Sequence, residues 1–368
     1  MANPNVILQW NCNGLKGNRV ELEVLIAEYS PAVICIQETR LQLDIERNQK
    51  DVNSLPSFVK FRGYTGYFKC IQSGHNGLAI YVKNGIIHSP VPLKTRLQAL
   101  AVRITFQGKE FIVSNHYTSS HNDGIPSWSQ FDHIARQFDK PYIMCGDFNA
   151  HNTLWSHVKN DKRGEALERF MFENDLGILN SSVKTHINHK THALSLLDLS
   201  IVHPTLYLDF DSKVLDDPHG SDHYPIIVTF NGTLFEHDKR PRWNFKRADW
   251  ASFRRQCRTE LTADIFDEGE DEVIVFTEKL LEIAVENIPM TSAFHKKCSK
   301  PWFDDECKAA KRERNKAHRL NKRYPCLDNH IKAKVASARA KRTFHHKKRE
   351  SWKKYVGSVN SRTPSKKV

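Results

Sequence analysis

Long apolar runs are missing from this 368-residue chain. No segment approaches the roughly 18 consecutive apolar residues that a membrane-spanning helix requires. A strand-like pattern begins almost directly after Met1-Ala2-Asn3-Pro4, which leaves no room for a secretory signal peptide. We therefore expect a soluble, intracellular protein without a membrane partner.

The eight cysteines lack the paired spacing that is typical of a zinc site. Several of them, such as Cys35 and Cys145, lie in apolar segments, where we expect small buried hydrophobic side chains in a reducing compartment. The chain also lacks a Tyr/Phe-Ala-Asp-Asp polymerase motif. A disulfide framework, a zinc finger and polymerase activity are therefore not expected.

The excess of positive charge lies at the end of the chain. Residues 290–368 contain 24 Lys and Arg but only 6 Asp and Glu, a net charge of +18, whereas the whole chain carries +13. Residues 1–289 are therefore net negative, at −5. Composition also changes after Phe230, where a charged segment with Gly232 and Pro241 is typical of a linker. We expect a first domain over residues 1–230, a linker over 231–250 and a basic helical region over 251–368.

The basic region has two interpretations. Runs such as Lys308–Lys316 and Lys347–Lys354, with Trp352 and Tyr355 available to stack on bases, favour a helical arm that binds nucleic acid. Charge runs are also common on helices that are simply solvated, so a helical hairpin that links two domains fits equally well.

Within residues 1–230, apolar strand-like runs recur and few helical patterns interrupt them. The most informative run is 142–151, which ends in Gly146-Asp147-Phe148-Asn149. Gly146 permits a tight turn at the end of a buried strand. Asp147 and Asn149 alternate along the remaining strand and can face one cleft, where the carboxylate can align a water and the carboxamide can hold a phosphate oxygen. An Asp-x-Asn turn that bonds only its own backbone is the structural alternative.

Four more polar clusters end or interrupt apolar runs in the same way. One carboxylate among them, Glu38, suits a hard cation such as Mg²⁺, which proteins often hold with only one or two carboxylates. Asp198 interrupts an apolar run and needs a partner if it is buried. The clusters are Trp10-Asn11-Cys12-Asn13-Gly14, Ile36-Gln37-Glu38-Thr39, Leu197-Asp198 and Ser221-Asp222-His223.

Taken in order, these clusters resemble the endonuclease/exonuclease/phosphatase superfamily, the DNase I-like fold that includes exonuclease III-type apurinic endonucleases. Within it, the sequence is most similar to the endonuclease domain of jockey-like non-LTR retrotransposons, over roughly residues 5–230. Tyr117, in Asn115-His116-Tyr117, belongs to the matching set. The repair enzymes carry Asp where this chain has Asn13, whereas retrotransposon members commonly have Asn, so metal binding here should depend more on Glu38.

The resemblance extends into the basic region. Jockey-like elements have segments similar to Trp243-Asn244-Phe245, Pro301-Trp302-Phe303 and Asn360–Pro364 ahead of a reverse transcriptase. This similarity implies that the chain is a truncated retrotransposon protein, with the start of the segment that leads to an absent polymerase.

Hydrolysis of a phosphodiester requires an aligned nucleophile, neutralisation of the phosphorane and support for the leaving alkoxide. We assign Asp147 to orienting and deprotonating water, and Asn149 and Asn11 to holding the phosphate. His223, paired with Asp198, would be an imidazolium that stabilises the equatorial oxygens. Tyr117 could add a phenolic hydrogen bond or could simply be a packed aromatic.

The metal assignment is Mg²⁺, with Mn²⁺ as a substitute, on Glu38, Asn13 and Asp222. The predicted fold is α/β (α+β), a four-layer sandwich of two packed β-sheets flanked by helices. The predicted function is a DNA endonuclease that nicks a target duplex in the nucleus and leaves a 3′-hydroxyl primer, with element RNA as a candidate partner of the basic region. The alternatives are an apurinic repair endonuclease and an inactive nucleic-acid-binding relic.

Overall fold

The computed structural model describes residues 6–41, 57–70, 76–106, 108–119, 125–156, 159–188, 191, 193–231, 243–262, 271–290 and 300–358. Most of the expected linker and the Asn360–Pro364 motif lie outside these residues. No helix in the described ranges is long and apolar enough to cross a membrane.

Fourteen strands are present in these ranges. They are β1 (Val6–Asn11), β2 (Val33–Gln37), β3 (Tyr64–Lys69), β4 (Leu78–Lys83), β5 (Ile87–Val91), β6 (Gln98–Phe106), β7 (Lys109–Tyr117), β8 (Tyr142–Asp147), β9 (Gly177–Ile178), β10 (His186–Ile187), β11 (Leu194–Ser195), β12 (Asp198–Val202), β13 (Phe210–Val214) and β14 (Ile226–Phe230). Two six-stranded sheets have the orders β13-β14-β1-β2-β4-β3 and β5-β6-β7-β8-β12-β9, and β10 pairs with β11.

Helices accompany both sheets and continue to the end of the described chain. They are α1 (Leu15–Tyr29), α2 (Trp128–Ala135), α3 (Lys162–Glu173), α4 (Trp250–Glu260), α5 (Glu272–Asn287), α6 (Asp305–Arg323) and α7 (Leu327–Gly357), with short 3₁₀ helices at Ser57–Val59 and Pro204–Asp209.

Three apolar layers hold the sandwich together. Residues from the inner faces of both sheets, such as Ile7, Val113 and Val228, form the core between them. α1 packs Leu22 and its neighbours on the outer face of the first sheet. α2 and α3 cover the outer face of the second sheet, where Phe131 and Phe170 contact each other. The order helix, sheet, sheet, helix confirms the predicted four-layer fold.

One helix and one edge strand have only a weak local signal in the sequence. α2 is only eight residues long and follows a segment of low hydrophobicity, although its capping box at Ser127 and Gln130 is a recognisable start signal. β13 pairs with β14 at the edge of the first sheet, and its alternating exposed side chains include Asp211 and Lys213. Tertiary pairing, not local hydrophobicity, selects such elements.

The basic region is divided between two compact units of the chain. Residues 234–297 form one compact unit, in which α4 and α5 pack on each other, whereas residues 298–368 belong to the same unit as residues 1–233. α6 and α7 form a hairpin, and Trp302, Cys307 and Phe344 are buried against Val20 and Val24 of α1. We call this α6–α7 pair the basic hairpin. Its inner face is a packed surface, so the basic hairpin is not a linker solvated on all sides.

Candidate active site

The carboxyl ends of four central strands meet at one edge of the sandwich. β1 is parallel to β2 in the first sheet, and β7 is parallel to β8 in the second. Asn11, Tyr117 and Asp147 are the last residues of β1, β7 and β8, and Glu38 directly follows β2. Because parallel neighbours end at the same edge, side chains that are far apart in sequence converge there.

Antiparallel neighbours bring the remaining residues to the same edge. β12 begins at Asp198, whose backbone lies opposite Asp147 in the register of β8. β14 runs antiparallel to β1, so the loop that precedes it carries Asp222 and His223 to the end of β1. The structure therefore brings together all nine residues that the sequence singled out.

Asp147 is the central carboxylate of the site and is 1% exposed. Its Oδ2 accepts a hydrogen bond from Asn11 Nδ2 at 2.9 Å and lies 3.8 Å from His223 Nε2, while its Oδ1 accepts from the backbone N–H of Asn149 at 3.1 Å. Burial raises the pKa of Asp147 to about 7, assisted by the charge of Asp198 and opposed by His223. A carboxyl poised near neutrality can take a proton and give it up again.

His223 and Asp198 form a buried pair, as predicted from the sequence. The Nδ1 of His223 lies 2.8 Å from Asp198 Oδ2, and the two side chains are 6% and 2% exposed. Burial opposes a charge on the imidazole, but Asp198 and Asp147 together raise the pKa of His223 to about 10. The ring is therefore an imidazolium at neutral pH, and its Nε2, 3.8 Å from Asp147 Oδ2, is too far away for a hydrogen bond to that carboxylate.

The carboxylate of Glu38 joins the two sheets at the site. Its Oε1 accepts hydrogen bonds from Asn11 Nδ2 at 3.1 Å and from the Tyr117 hydroxyl at 2.9 Å. Its Oε2 accepts a hydrogen bond from Arg40 at 2.8 Å. Burial, with the nearby charges of Glu38 and Asp147, keeps the pKa of Tyr117 well above its usual range, so the phenol remains a donor.

These contacts change the expected duties of two residues. Both N–H bonds of the Asn11 carboxamide are used, one on Glu38 and one on Asp147, so Asn11 holds the two carboxylates and has no donor left for a phosphate. The proton of Tyr117 is directed at Glu38 and not at the open cleft. Asn149 is half-buried and donates one N–H to the carbonyl of Thr118 at 2.8 Å, which leaves its second N–H for a substrate.

The three predicted metal ligands are, like Asn149, among the more accessible members of the site, since Asn13, Glu38 and Asp222 are half-buried. Asn13 Nδ2 donates to Asp222 Oδ1 at 3.0 Å, which orients a carboxamide beside a carboxylate. Their oxygen donors fit a hard cation such as Mg²⁺. In the described part of the chain, two groups of acid and histidine side chains lie close enough together to hold a metal ion: Asp147-Asp198-His223 and His186-Asp222-His223. Glu38 belongs to neither group.

The backbone is strained at this edge of the sandwich. Asn13, Glu38 and Asn149 each have φ near +46°, in the left-handed region, which is costly for Glu in particular. Gly146 meets a different requirement, because a Cβ there would lie 2.5 Å from the carbonyl oxygen of His116 in the neighbouring strand. Glycine thus allows β7 and β8 to come together just before Asp147.

Several supporting residues were not identified from the sequence. The hydroxyl of Thr185 accepts hydrogen bonds from the backbone N–H groups of Leu197 and Asp198, and Asn180 donates to the carbonyl of Asp198 at 2.8 Å. Trp10 Nε1 donates to the carbonyl of His223 at 3.1 Å. Thr185 lies outside the apolar-run-to-polar pattern that revealed the other residues, whereas Asn180 ends the short apolar run 176–179 and fits that pattern.

Comparison with solved structures agrees with the fold. The endonuclease domain of TRAS1, a telomere-specific non-LTR retrotransposon, superposes with a TM-score of 0.52 at 24% identity, covering 63% of this chain and all of that one. The two packed sheets and their flanking helices thus have the same DNase I-like fold as that domain.

Sequence comparison identifies the domain more closely. Residues 111–227 match the family described as endonuclease-reverse transcriptase. A probable RNA-directed DNA polymerase from transposon BS of Drosophila melanogaster is 25% identical over 80% of this chain, and the RNA-directed DNA polymerase from mobile element jockey of the same fly is 22% identical over 75%. The chain spans about 30% of the length of these relatives. These matches confirm the predicted resemblance to jockey-like retrotransposon proteins.

Proposed function

We propose that the first domain is a Mg²⁺-dependent endonuclease that nicks duplex DNA and leaves a 3′-hydroxyl end. The observation that carries this proposal is the buried group of Asp147, His223 and Asp198, in which a carboxylate with a pKa near 7 lies 3.8 Å from an imidazolium. A base and a cation held this close can activate water and stabilise a phosphorane within one site.

In the mechanism, Asp147 accepts a proton from the attacking water. Asn11 holds its Oδ2 and the backbone of Asn149 holds its Oδ1, so the direction in which it can accept the proton is fixed. The imidazolium of His223, held by Asp198, donates a hydrogen bond through Nε2 to a nonbridging phosphate oxygen. The free N–H of Asn149 can bind a second phosphate oxygen.

Glu38, Asn13 and Asp222 are the residues that would hold the metal. When bound, Mg²⁺ or Mn²⁺ supplies charge that polarises the phosphate and supports the leaving 3′-oxygen. Tyr117 and Asn11 hold Oε1 of Glu38, so the orientation of this carboxylate is set before a cation arrives.

Nicking of supercoiled plasmid by the purified full chain tests the function. We expect nicked circles with Mg²⁺ and also with Mn²⁺, none with EDTA, and ends that a DNA polymerase can extend without prior phosphatase treatment. Extension would show a 3′-hydroxyl. A chain that leaves the plasmid supercoiled under all these conditions would instead favour an inactive nucleic-acid-binding relic.

An apurinic repair endonuclease is the second candidate. Asn13, where the repair enzymes carry Asp, favours the retrotransposon activity. Equal cleavage of intact and abasic duplexes of the same sequence supports target nicking, whereas cleavage of the abasic duplex alone would reassign the enzyme to repair.

We also propose that the outer face of the basic hairpin binds nucleic acid, and that the protein acts in the nucleus, where an intact element would use the nick as a primer. Residues 1–233 carry a net charge of −1, whereas residues 298–368 carry +16. Part of this positive charge is exposed to solvent on α7, at Arg342, Arg349 and Lys353. Duplex DNA and element RNA are both candidate ligands, and competition between them for the full chain would rank the two.

A further inference from the structure

The loop that carries His223 is fastened by an arginine from the basic hairpin. Arg314 of α6 is fully buried, although it is surrounded in sequence by exposed cations. Its Nε donates to Asp217 Oδ2 at 2.7 Å, and its Nη1 donates to Glu21 Oε1 of α1 at 2.7 Å. A third nitrogen, Nη2, lies 3.4 Å from His219 Nδ1.

The fastened residues lie immediately before the catalytic ones. Asp217 and His219 are 3% and 1% exposed, and they precede His223 by six and four residues. The His219 backbone N–H donates to Asp217 Oδ1 at 2.9 Å, and the His219 Nδ1 lies 3.1 Å from Glu21 Oε2. Arg314, Glu21, Asp217 and His219 thus form one connected group, which we call the Arg314 cluster.

Further contacts from the basic hairpin continue along the same loop. Arg319 donates to Asp216 at 2.8 Å, and the ammonium of Lys322 lies 5.0 Å from the ring centre of Tyr224, the residue after His223. Lys341 of α7 donates to Asn18 at 3.2 Å, and Asn18 in turn donates to the carbonyl of Cys12 at 2.7 Å. The basic hairpin therefore contacts both sides of His223 in the sequence.

A tryptophan connects the Arg314 cluster to His223 itself. The ring of Trp10 makes an edge contact with His219, with ring centres 6.4 Å apart, and its indole N–H donates to the carbonyl of His223. A shift of His219 would therefore change the packing of Trp10, which holds the backbone of His223.

Burial of this much charge is hard to explain by stability alone. A buried ion pair often contributes no more to stability than an apolar replacement of similar shape, because each charge is desolvated. The TRAS1 endonuclease domain, which shares this fold, is covered completely by 63% of this chain. The alignment with the BS relative, by contrast, covers 80% of this chain and so reaches beyond the first 233 residues.

We propose that Arg314 is a positioning residue for the nuclease reaction, which acts by holding the 216–224 loop so that His223 faces Asp147. The basic hairpin is then a working part of the endonuclease and not only a connecting segment. This inference rests on the proposed nuclease function, and it assigns to Arg314 the alignment of His223 with Asp147.

Two variants of the full chain test the proposal. Arg314→Lys keeps a positive charge but cannot donate to Glu21 and Asp217 in the same planar arrangement. The triple variant Glu21→Gln, Asp217→Asn and Arg314→Met removes the three charges of the ion pairs together, so none of these three is left buried without its partner. Ala340→Gly is the control, because it loosens the buried face of α7 without touching the 216–224 loop.

We expect both Arg314 variants to lose about tenfold or more in kcat, since small misplacements of catalytic groups are costly, with KM for DNA changed less than about twofold. Amide hydrogen exchange should accelerate in a peptide that spans 216–224 and stay unchanged in β7 and β8. Ala340→Gly should lower the melting temperature and keep kcat.

A triple variant that folds, nicks at the wild-type kcat and shows unchanged exchange in the loop would overturn the proposal. If the wild-type chain itself does not nick DNA, the proposed function fails, and the exchange measurement alone then decides whether Arg314 holds the loop.

Discussion

The domain contains two buried clusters that are similar in composition but have different roles. In the active site, Asp147 and Asp198 surround His223; in the Arg314 cluster, Glu21 and Asp217 surround an arginine. His219 of one cluster lies only four positions before His223 of the other. Both clusters place two carboxylates around one cation, yet their protonation behaviour differs.

The difference comes from the cation. Burial works against charge on Glu21 and Asp217. The guanidinium of Arg314 more than offsets burial at Glu21 and holds the pKa of Glu21 well below its usual range. The charges of His219 and, next, Arg314 lower the pKa of Asp217. Around His223, burial prevails at Asp147 and its pKa rises to about 7. A guanidinium never loses its proton in proteins, whereas an imidazole can. Arg314 is therefore fixed in charge, whereas the active site can exchange protons near neutral pH.

Removal of the titrating carboxylate should have the largest effect. Asp147→Asn keeps the shape but abolishes the base, so we expect plasmid nicking to fall by about a thousandfold or more. DNA binding should persist or tighten, because a negative charge facing the phosphate is lost. Asp139→Asn, at an exposed carboxylate paired with Arg103, is the control and should nick normally. Near-normal nicking by Asp147→Asn would remove this residue from the mechanism.

Removal of one charge should raise the stability of the folded protein in the active site and lower it in the Arg314 cluster. The folded-state pKa of Asp147 lies above its unfolded value, so above pH 7 the ionised carboxylate costs stability, and Asp147→Asn should raise the melting temperature there. Arg314→Met alone leaves Glu21 and Asp217 buried without a cation, and should cost about 3–5 kcal/mol. Thermal unfolding at pH 8 compares the two, and shifts of the same sign would contradict this contrast.

The histidine pair should act as a unit. His223→Ala and Asp198→Ala should each lower nicking by about a hundredfold or more, and the double variant should be little worse than either, because a histidine without its carboxylate loses both charge and orientation. Single-turnover nicking rates of the wild type, the two single variants and the double variant measure this coupling as a double-mutant cycle. Losses that multiply in the double variant would mean that the two residues act independently.

The active site should titrate in the working pH range. Asp147 must be ionised to accept a proton, so the rate should fall about tenfold per unit as pH drops below about 7, and it should fall again above about 10 as His223 loses its proton. Single-turnover nicking at saturating DNA from about pH 5.5 to 10.5 tests both limbs. A rate that stays constant below pH 7 would show that Asp147 does not carry the base.

The sequence predicted one cluster and not the other for a physical reason. Asp147, Asn11 and Glu38 each follow an apolar run, and parallel strands bring such ends together, so a local pattern carries the spatial information. Arg314 lies in a run of Lys and Arg, a pattern that usually indicates a solvated face. Its partners are 293 and 97 residues away, and nothing local marks one arginine of the run as buried.

The duties within the site were also only partly predictable. Residue types indicated which groups would converge, but hydrogen-bond directions depend on the final side-chain geometry. The carboxamide of Asn11 and the phenol of Tyr117 turned out to hold Glu38 and Asp147. Which acceptor a donor faces is decided by packing at the edge of both sheets, so composition and spacing could name the members of the site but not the bonds between them.

The outer face of the basic hairpin should contribute to DNA binding but little to chemistry. Cutting the chain near Phe230 would leave Glu21 and Asp217 without Arg314, so charge removal in the full chain is the cleaner test. The test variant replaces three exposed hairpin cations with Gln: Arg342, Arg349 and Lys353. The control variant replaces three exposed cations elsewhere on the domain with Gln: Arg62, Lys94 and Lys213.

Each phosphate contact that is lost should lower the slope of log affinity against log salt by about 0.9, so the hairpin variant should lose up to about 3 in slope, while the control variant keeps the wild-type slope. Single-turnover nicking at low salt and saturating DNA should be similar for all three proteins, because Arg314 and the loop it holds are intact. Binding isotherms across a salt series decide the matter. If the hairpin variant and the wild type have parallel slopes, the basic hairpin acts only through its buried face, and the proposal that its outer face binds nucleic acid would be abandoned.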